Sequence, residues 1–256
     1  MRVIVAGNLE VAHDKNAGPV PMRYNESCLL SLVGDIRFLR GLELELSAPQ
    51  RWPAYQGSLA MVLYAELDRG PALGVADLEG GRIAFEPLPG KIQIVYQLPL
   101  RPSSALKNNP YVTVLARTAL PSSFPLLFRI MPVIKGLSDE LENMIFQLSA
   151  KPILGDEGLV KLNFRYPEQL KGKPFTVLID DIPISNHSEE LLLKEGERHL
   201  VILSEDYRNE SRRFAVERAK TLELHIALQD PTPLLIFEAP QNARIFLDNA
   251  PVSLGK

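Results

Sequence analysis

The chain has 256 residues, of which 46% are hydrophobic and 23% are charged, and its formal net charge is −3 at neutral pH. This length allows one large domain or two smaller ones with real cores, and the apolar fraction excludes a disordered chain. The charge, without any block of basic residues, argues against nucleic-acid or anionic-membrane binding, and no apolar run approaches the ~20 residues of a membrane-spanning helix.

The N-terminus and the single cysteine bear on the compartment. Residues 1–7 hold an apolar stretch that is shorter than the h-region of about 7–15 residues in a signal peptide. The protein is therefore expected to be cytoplasmic, or to be a periplasmic or cell-surface protein whose leader has been removed; we favour the second. One cysteine, Cys28, cannot form an internal disulfide, and we predict a buried, inert thiol.

Strand patterns follow one another through residues 1–155. Residues 36–46 alternate, with Leu42 and Leu44 on one face and Glu43 and Glu45 on the other, which is typical of a half-buried strand. Further strands are predicted at 58–67, 82–86, 91–98, 111–117, 126–130 and 145–149, the last after a turn or short helix over 138–143. This succession, without a long helical pattern, predicts an N-terminal β-sandwich that is jelly-roll-like.

A second β-rich region begins after a boundary that we place within residues 151–158. Strands are predicted at 159–166, 175–179, 189–193, 199–204, 212–217 and 221–228, with a hairpin-type turn over 194–197. Asp230-Pro231-Thr232-Pro233 then forms a short rigid linker. The predicted domains are therefore a sandwich over 1–155, a small β module over 156–230 and a third segment over 231–256.

The third segment begins a repeat of the second. Residues 175–185 read Phe-Thr-Val-Leu-Ile-Asp-Asp-Ile-Pro-Ile-Ser, and residues 243–253 read Ala-Arg-Ile-Phe-Leu-Asp-Asn-Ala-Pro-Val-Ser, at a constant offset of 68. Each copy reads as a strand, a tight turn at Asp180 or Asp248, and a second strand. Because the second copy stops soon after its turn, we expect the native protein to continue beyond Lys256.

Residues 159–228 resemble a PEGA-type module. The segments that carry the resemblance are Pro167-Glu168, Val177–Asp180, Ile182-Pro183, Gly196–His199, Asp206-Tyr207, Phe214–Val216 and Leu222–Leu228. Pro240–Ala243 and Leu247–Asn249 resemble the start of a second copy. Asp181 and Asn249 replace the family's glycine after the turn aspartate, and Asp and Asn are the non-glycine residues that best tolerate left-handed backbone angles.

The resemblance implies a small β domain of the kind that is often appended to cell-surface and envelope proteins. Such modules are regarded as binding or spacer units and bring no catalytic residues with them. The resemblance does not extend to the N-terminal region, for which the sequence indicates no particular family.

Residues that carry chemistry are sparse. The four histidines, His13, His187, His199 and His225, have no metal-ligand spacing, no nucleotide-binding glycine motif is present, and we predict no metal and no cofactor. Glu43 and Glu45 share a strand face and could pair as in a glycosidase, although a solvated face is the preferred interpretation. Asp156-Glu157 and Asp180-Asp181 could bind calcium, but turn residues are preferred.

Trp52 and Tyr55 form the one aromatic pair that stands out. They lie in Arg51-Trp52-Pro53-Ala54-Tyr55, which reads as a loop between strands, where sandwiches carry ligand contacts. An exposed pair could stack on a sugar ring, and burial as a core plug is the alternative. We assign Trp52 and Tyr55 as the candidate ligand-binding residues.

Together these patterns predict a non-enzymatic scaffold or adhesive protein of a bacterial cell envelope. It would bind a protein or glycan partner through sandwich loops or strand edges, with residues 234–256 available for strand addition because a lone hairpin is marginal in water. A carbohydrate-binding module that uses Trp52 and Tyr55 is the first alternative, and a jelly-roll glycosidase is the second.

Overall fold

A computed structural model describes residues 2–67, 74–77, 80–102, 106–115, 123–231, 238, 244–248 and 250–251. These residues form twenty strands, one short helix and three 3₁₀ turns, so the predicted all-β fold class is confirmed. The strands are β1 (Arg2–Val11), β2 (Ala17–Met22), β3 (Glu26–Leu32), β4 (Leu39–Ser47), β5 (Leu59–Ala65), β6 (Gly74–Asp77), β7 (Gly81–Pro87), β8 (Gln93–Pro99), β9 (Val112–Val114), β10 (Leu126–Pro132), β11 (Phe146–Leu154), β12 (Glu157–Arg165), β13 (Thr176–Ile179), β14 (Ile182–Pro183), β15 (Leu191–Lys194), β16 (Gly196–Leu203), β17 (Glu210–Val216), β18 (Thr221–Ala227), β19 (Phe246–Leu247) and β20 (Ala250–Pro251).

The chain divides into two compact units. The first comprises residues 1–159, 192–195 and 216–222, and the second comprises residues 160–191, 196–215 and 223–256.

The first unit contains a sandwich of two sheets. A six-stranded sheet has the order β6-β1-β3-β10-β5-β7, and a five-stranded sheet has the order β2-β11-β4-β8-β9. One hydrophobic core draws on strands of both sheets, for example Leu30, Met61 and Phe128 from the first and Leu44 and Tyr96 from the second. The predicted N-terminal β-sandwich is therefore present.

The buried and outward faces of β4 are those predicted from its alternating sequence. Leu42, Leu44 and Leu46 are fully buried, whereas Glu43 and Glu45 lie half-buried on the other face. β5 differs because all its residues from Leu59 to Leu63 are buried. It lies between β10 and β7. Leu59, Met61 and Leu63 face the main core, and Ala60 and Val62, which point to the other side of the sheet, are fully buried as well. A strand with both faces covered reads as a continuous apolar run.

The start of the sandwich differs from the prediction. No strand was predicted before residue 36, yet β1, β2 and β3 precede it, and β1 pairs in parallel with β3. Residues Ile36–Phe38 form a 3₁₀ turn instead of a strand, because the Asp35 carboxylate accepts a hydrogen bond from the Arg37 amide, 2.9 Å away. The strand begins only at Leu39.

The region after β10 follows the prediction. Ser138 caps a single helical turn, α1 (Asp139–Glu142), by accepting from the Leu141 amide at 3.4 Å, and β11 follows. β11 continues to Leu154 in register with β4, so residues 151–154 belong to the sandwich.

Cys28 is buried in the core of this sandwich, as predicted. Burial raises the pKa of its thiol to about 12, because the thiolate would lose its hydration there. A thiol with such a pKa is a poor nucleophile at neutral pH.

The strands from residue 157 to residue 227 form two further sheets, with the orders β15-β12-β18 and β14-β13-β16-β17, and β19 and β20 form a separate two-stranded sheet. Alternate residues are buried, as with Val177 and Ile179 on β13 and Leu200 and Ile202 on β16. The hairpin predicted over residues 194–197 is wrong, because β15 and β16 belong to different sheets. Only Glu195 separates them, and the following Gly196 has a φ of 119°, which suits glycine where the chain changes sheets.

Aromatic rings cluster in the second unit. Phe175 lies 5.0 Å from Phe164 and 6.0 Å from Tyr207 between ring centroids, and His187 lies 4.8 Å from Phe175. Tyr207 is buried, and its hydroxyl donates to the Leu170 carbonyl. His187 therefore packs against aromatic rings, and Tyr207 is a buried residue in the core of the small module.

Candidate functional site

Trp52, the first predicted ligand contact, is a core residue. It opens the 3₁₀ turn Trp52–Tyr55 between β4 and β5, and it is fully buried. Its indole lies edge-on to Phe146 at 5.5 Å, and its Nε1 donates to the Pro89 carbonyl at 2.7 Å. A ring without accessible surface has no face for a ligand, so the exposed Trp–Tyr pair is not found and Trp52 takes the alternative role of a core plug.

Tyr55, the second predicted contact, is half-buried and braces a loop. Its hydroxyl donates to Glu140 at 2.7 Å, and Arg51 donates to the other oxygen of the same carboxylate at 2.8 Å. The bond from Arg51, and then that from Tyr55, hold the pKa of Glu140 below its ordinary value. Ligand contact through Tyr55 stays a prediction, with the hydroxyl already engaged inside the protein.

Glu43 and Glu45 lie on the outward face of the five-stranded sheet and are bonded to different neighbours. Glu43 accepts from Gln97 on β8 at 3.0 Å, and Glu45 accepts from Lys151 on β11 at 2.9 Å. The bond to Glu45 raises the pKa of Lys151. Each carboxylate is thus one half of a cross-strand polar pair, which is how a solvated sheet face is commonly built.

The turn between β13 and β14 is organised by two aspartates. Asp180 and Asp181 have φ values of 49° and 65°, and they connect Ile179 to its partner Ile182 in a two-residue hairpin. Two positive φ values are typical of a type I′ turn, in which Asp is accepted in place of glycine. The sequence-based prediction of a turn at this point is confirmed.

The Asp180 carboxylate is bonded on both oxygens. One accepts from the backbone amide of His199 at 2.9 Å, and the other accepts from Arg198 at 2.9 Å. These two bonds, the amide first, lower the pKa of Asp180. The carboxylate therefore has a structural role, since it fixes the turn to β16.

The described part of the second copy of the hairpin has the same strand pairing and the same φ at its first turn residue. β19 and β20 pair Leu247 with Ala250, which stand 68 residues after Ile179 and Ile182, and Asp248 has the same φ of 49° as Asp180. The repeat predicted from the sequence is thus a repeated structure over the described part of the second copy.

The two copies differ in what covers them. β13 pairs on its other side with β16, and Ile179 is 4% exposed. Within the described residues β19 pairs only with β20, and Phe246 and Leu247 are 58% and 46% exposed. Among the described residues, the second hairpin therefore exposes the apolar side chains of Phe246 and Leu247, and its two strands pair only with each other. Residues 234–237, 239–243, 249 and 252–256 of the predicted strand-addition segment lie outside the described residues.

Two cavities were not predicted from the sequence. One, of about 340 Å³, is polar and is lined by residues that include Arg208 and Arg212 in the second unit. The other, of about 270 Å³, lies in the first unit between apolar side chains, among them Leu39 and Phe124, with Arg101 at its border. Sequence patterns that follow single strands could not reveal them, because each cavity is lined by residues from more than one segment of the chain.

The described ranges contain no group of three or more His, Cys, Asp or Glu side chains placed to hold a metal ion. His199 instead shares a hydrogen bond of 2.7 Å with the Ser211 hydroxyl. No helix among the described residues has the length and apolar character needed to cross a membrane.

Comparisons with known proteins give distant structural neighbours only. No protein family and no curated protein matches the chain. The TIE protein of Bacillus anthracis is 12% identical with a TM-score of 0.24, and the match covers 75% of this chain and 35% of that one. A minor pilin of Streptococcus agalactiae is 13% identical with a TM-score of 0.23, over 72% of this chain and 87% of that one. The chain thus spans about a third of the TIE protein, and both TM-scores are too low to inform its role.

Proposed function

We propose that the protein is a non-enzymatic scaffold or adhesive protein of a bacterial cell envelope, in which small β modules act as spacers and interaction units. The observation that carries the proposal is the hairpin that occurs twice, at an offset of 68 residues and with the same left-handed aspartate at its turn. Repetition of one structural unit is typical of modular binding and spacer proteins.

The binding mode that we favour is strand addition at the second hairpin. An open strand edge offers a row of amide and carbonyl groups to another chain, and apolar side chains beside it add affinity. Phe246 and Leu247 provide both features, because they are exposed and lie on a strand whose outer edge is unpaired within the described residues. The partner is a protein of the envelope, and the envelope assignment rests on the resemblance to PEGA-type modules.

The test replaces both side chains, Phe246→Lys with Leu247→Lys, because lysine at an edge opposes strand pairing. We expect the unaltered protein to associate with itself or to co-sediment with the envelope fraction of its source cells, and the double variant to lose this association. Ile134→Lys is the matched control, since Ile134 is 49% exposed in a loop and makes no strand edge.

Two results would overturn the proposal. One is an unaltered protein that stays monomeric and remains free of the envelope fraction, and the other is a double variant that associates as strongly as the control. The proposal that the protein is not an enzyme is tested separately, by assaying polysaccharide hydrolysis in the unaltered protein and in the variants Glu43→Gln and Glu45→Gln. Polysaccharide hydrolysis that disappears in these variants would show that the protein is a glycosidase.

A further inference from the structure

We propose that Tyr111 is the stacking platform of a carbohydrate-binding site in the N-terminal sandwich, a role that the sequence analysis assigned to Trp52 and Tyr55. Tyr111 is 80% exposed and immediately precedes β9. Leaving an aromatic ring in water forgoes about 1.5–3 kcal/mol of burial free energy, so its position is not explained by packing.

The loop that carries Tyr111 is held in one conformation by its asparagines. The Asn109 side-chain oxygen accepts from the amides of Tyr111 and Val112 at 2.8 and 3.0 Å, and that of Asn108 accepts from the Val114 amide at 2.6 Å. Asn109 and Val112 also exchange two backbone hydrogen bonds of 3.1 and 3.2 Å. A ligand that binds to the ring therefore does not have to order the loop, so binding avoids the loss of conformational entropy that ordering a loop would cause.

A second set of bonds ties the same loop to the core. The Lys91 ammonium lies 5.9 Å from the centroid of the Tyr111 ring and donates to the Pro110 carbonyl. The Lys91 amide and the Trp52 indole both donate to the Pro89 carbonyl, at 2.8 and 2.7 Å. The buried tryptophan thus supports, through Pro89 and Lys91, the segment that positions the exposed tyrosine.

The surroundings of the ring favour a sugar over a protein surface. Anchoring side chains in protein interfaces sit in patches that exclude water. Tyr111 is instead flanked by exposed polar residues, Asn108, Asn109 and Lys91. A pyranose ring presents C–H groups, polarised by neighbouring oxygens, that are attracted to the negative face of an aromatic ring. Its hydroxyl groups can accept from the ammonium of Lys91 and from the side-chain amide groups of Asn108 and Asn109.

The experiment is binding of the full chain to a glycan microarray, followed by titration of the strongest glycan. We expect Tyr111→Ala to lower the affinity for that glycan at least about tenfold. Tyr111→Phe should keep the affinity of the unaltered chain, because the ring face makes the contact and the hydroxyl does not. Phe85→Ala is the matched control. Phe85 is also an exposed ring of the sandwich, at 41%, with the Arg82 guanidinium 5.7 Å from its centroid.

Far-UV circular dichroism and the midpoint of urea unfolding establish that each variant folds. The proposal is overturned if the unaltered chain binds no glycan, if Tyr111→Ala binds as the unaltered chain does, or if Phe85→Ala is weakened as much as Tyr111→Ala. Strand addition and glycan binding are tested independently, since the Phe246 and Leu247 variants leave this loop intact.

Discussion

Among the described residues, Trp52 has the largest side chain that is fully buried. Because it packs against Phe146 and its indole N–H is bonded to Pro89, we expect Trp52→Ala to lower the free energy of unfolding by about 3–5 kcal/mol. Trp52→Phe keeps a ring against Phe146 and should cost less. Urea unfolding followed by circular dichroism measures both, and an unchanged midpoint in Trp52→Ala would show that the indole is not a core residue.

Trp52 and Tyr111 show why exposure is hard to predict for single residues. Both lie beside prolines in connections between strands, and nothing in their neighbours in the chain separates a buried ring from an exposed one. What separates them is the contact of the Trp52 ring with Phe146 on β11, which is remote in sequence. Composition near a residue indicates a loop, whereas burial depends on what the loop lies against.

The turn between β13 and β14 is the element whose stability should depend most clearly on pH. The folded-state pKa of Asp180 is lowered, so its contribution to stability is present above the unfolded pKa, near 3.8, and is lost as the pH falls through the lower folded value. Asp180→Asn keeps a residue that tolerates positive φ but removes the charge. We expect it to lower the melting temperature at pH 7 and to match the unaltered protein once the pH lies below the folded pKa.

Asp181→Asn is the control for this experiment. Asp181 occupies the next turn position, also with positive φ, and the structure shows no bonded partner for its carboxylate among the described residues. The control should therefore melt as the unaltered protein does at every pH. Equal shifts in the two variants would mean that general charge, and not the bonds from His199 and Arg198, is responsible.

Element boundaries could be predicted where a local signal is strong. The alternation in β4, the Ser138 cap before α1 and the aspartate turn all reflect the chemistry of a few adjacent residues. β1 and β2 could not be predicted in this way, because β1 lacks regular alternation with charged residues and β2 contains prolines. Their strand character comes from pairing, β1 with β3 and β6, and β2 with β11.

At the scale of the whole molecule, the predicted end of the sandwich at residue 155 can be tested. The first unit includes residues 216–222, where Arg218 donates to the Gly155 and Leu154 carbonyls at 2.7 and 2.8 Å. A fragment of residues 1–155 loses these two bonds, worth together about 2 kcal/mol, and also the bonds that Asp156 and Glu157 accept from Arg40 and Arg101. We expect its sandwich to melt about 4–8 °C below that of the full chain.

Trp52 fluorescence follows this transition in both chains, because the only tryptophan lies in the sandwich. A fragment of residues 1–230 is the control and should melt as the full chain does, since it keeps Arg218. Equal melting of the 1–155 fragment and the full chain would instead support an independent domain that ends at residue 155.

The sequence by itself determined the β class, the faces of strands such as β4, and the repeated hairpin with its aspartate turn. These features depend on period-two alternation and on the backbone preferences of single residues, both of which are local. Only the tertiary structure decided that β15 and β16 enter different sheets, that Trp52 is buried, and that Tyr111 and the second hairpin are exposed. Alternation shows which residues share a face, but the partner of that face is chosen by pairing and packing between distant segments.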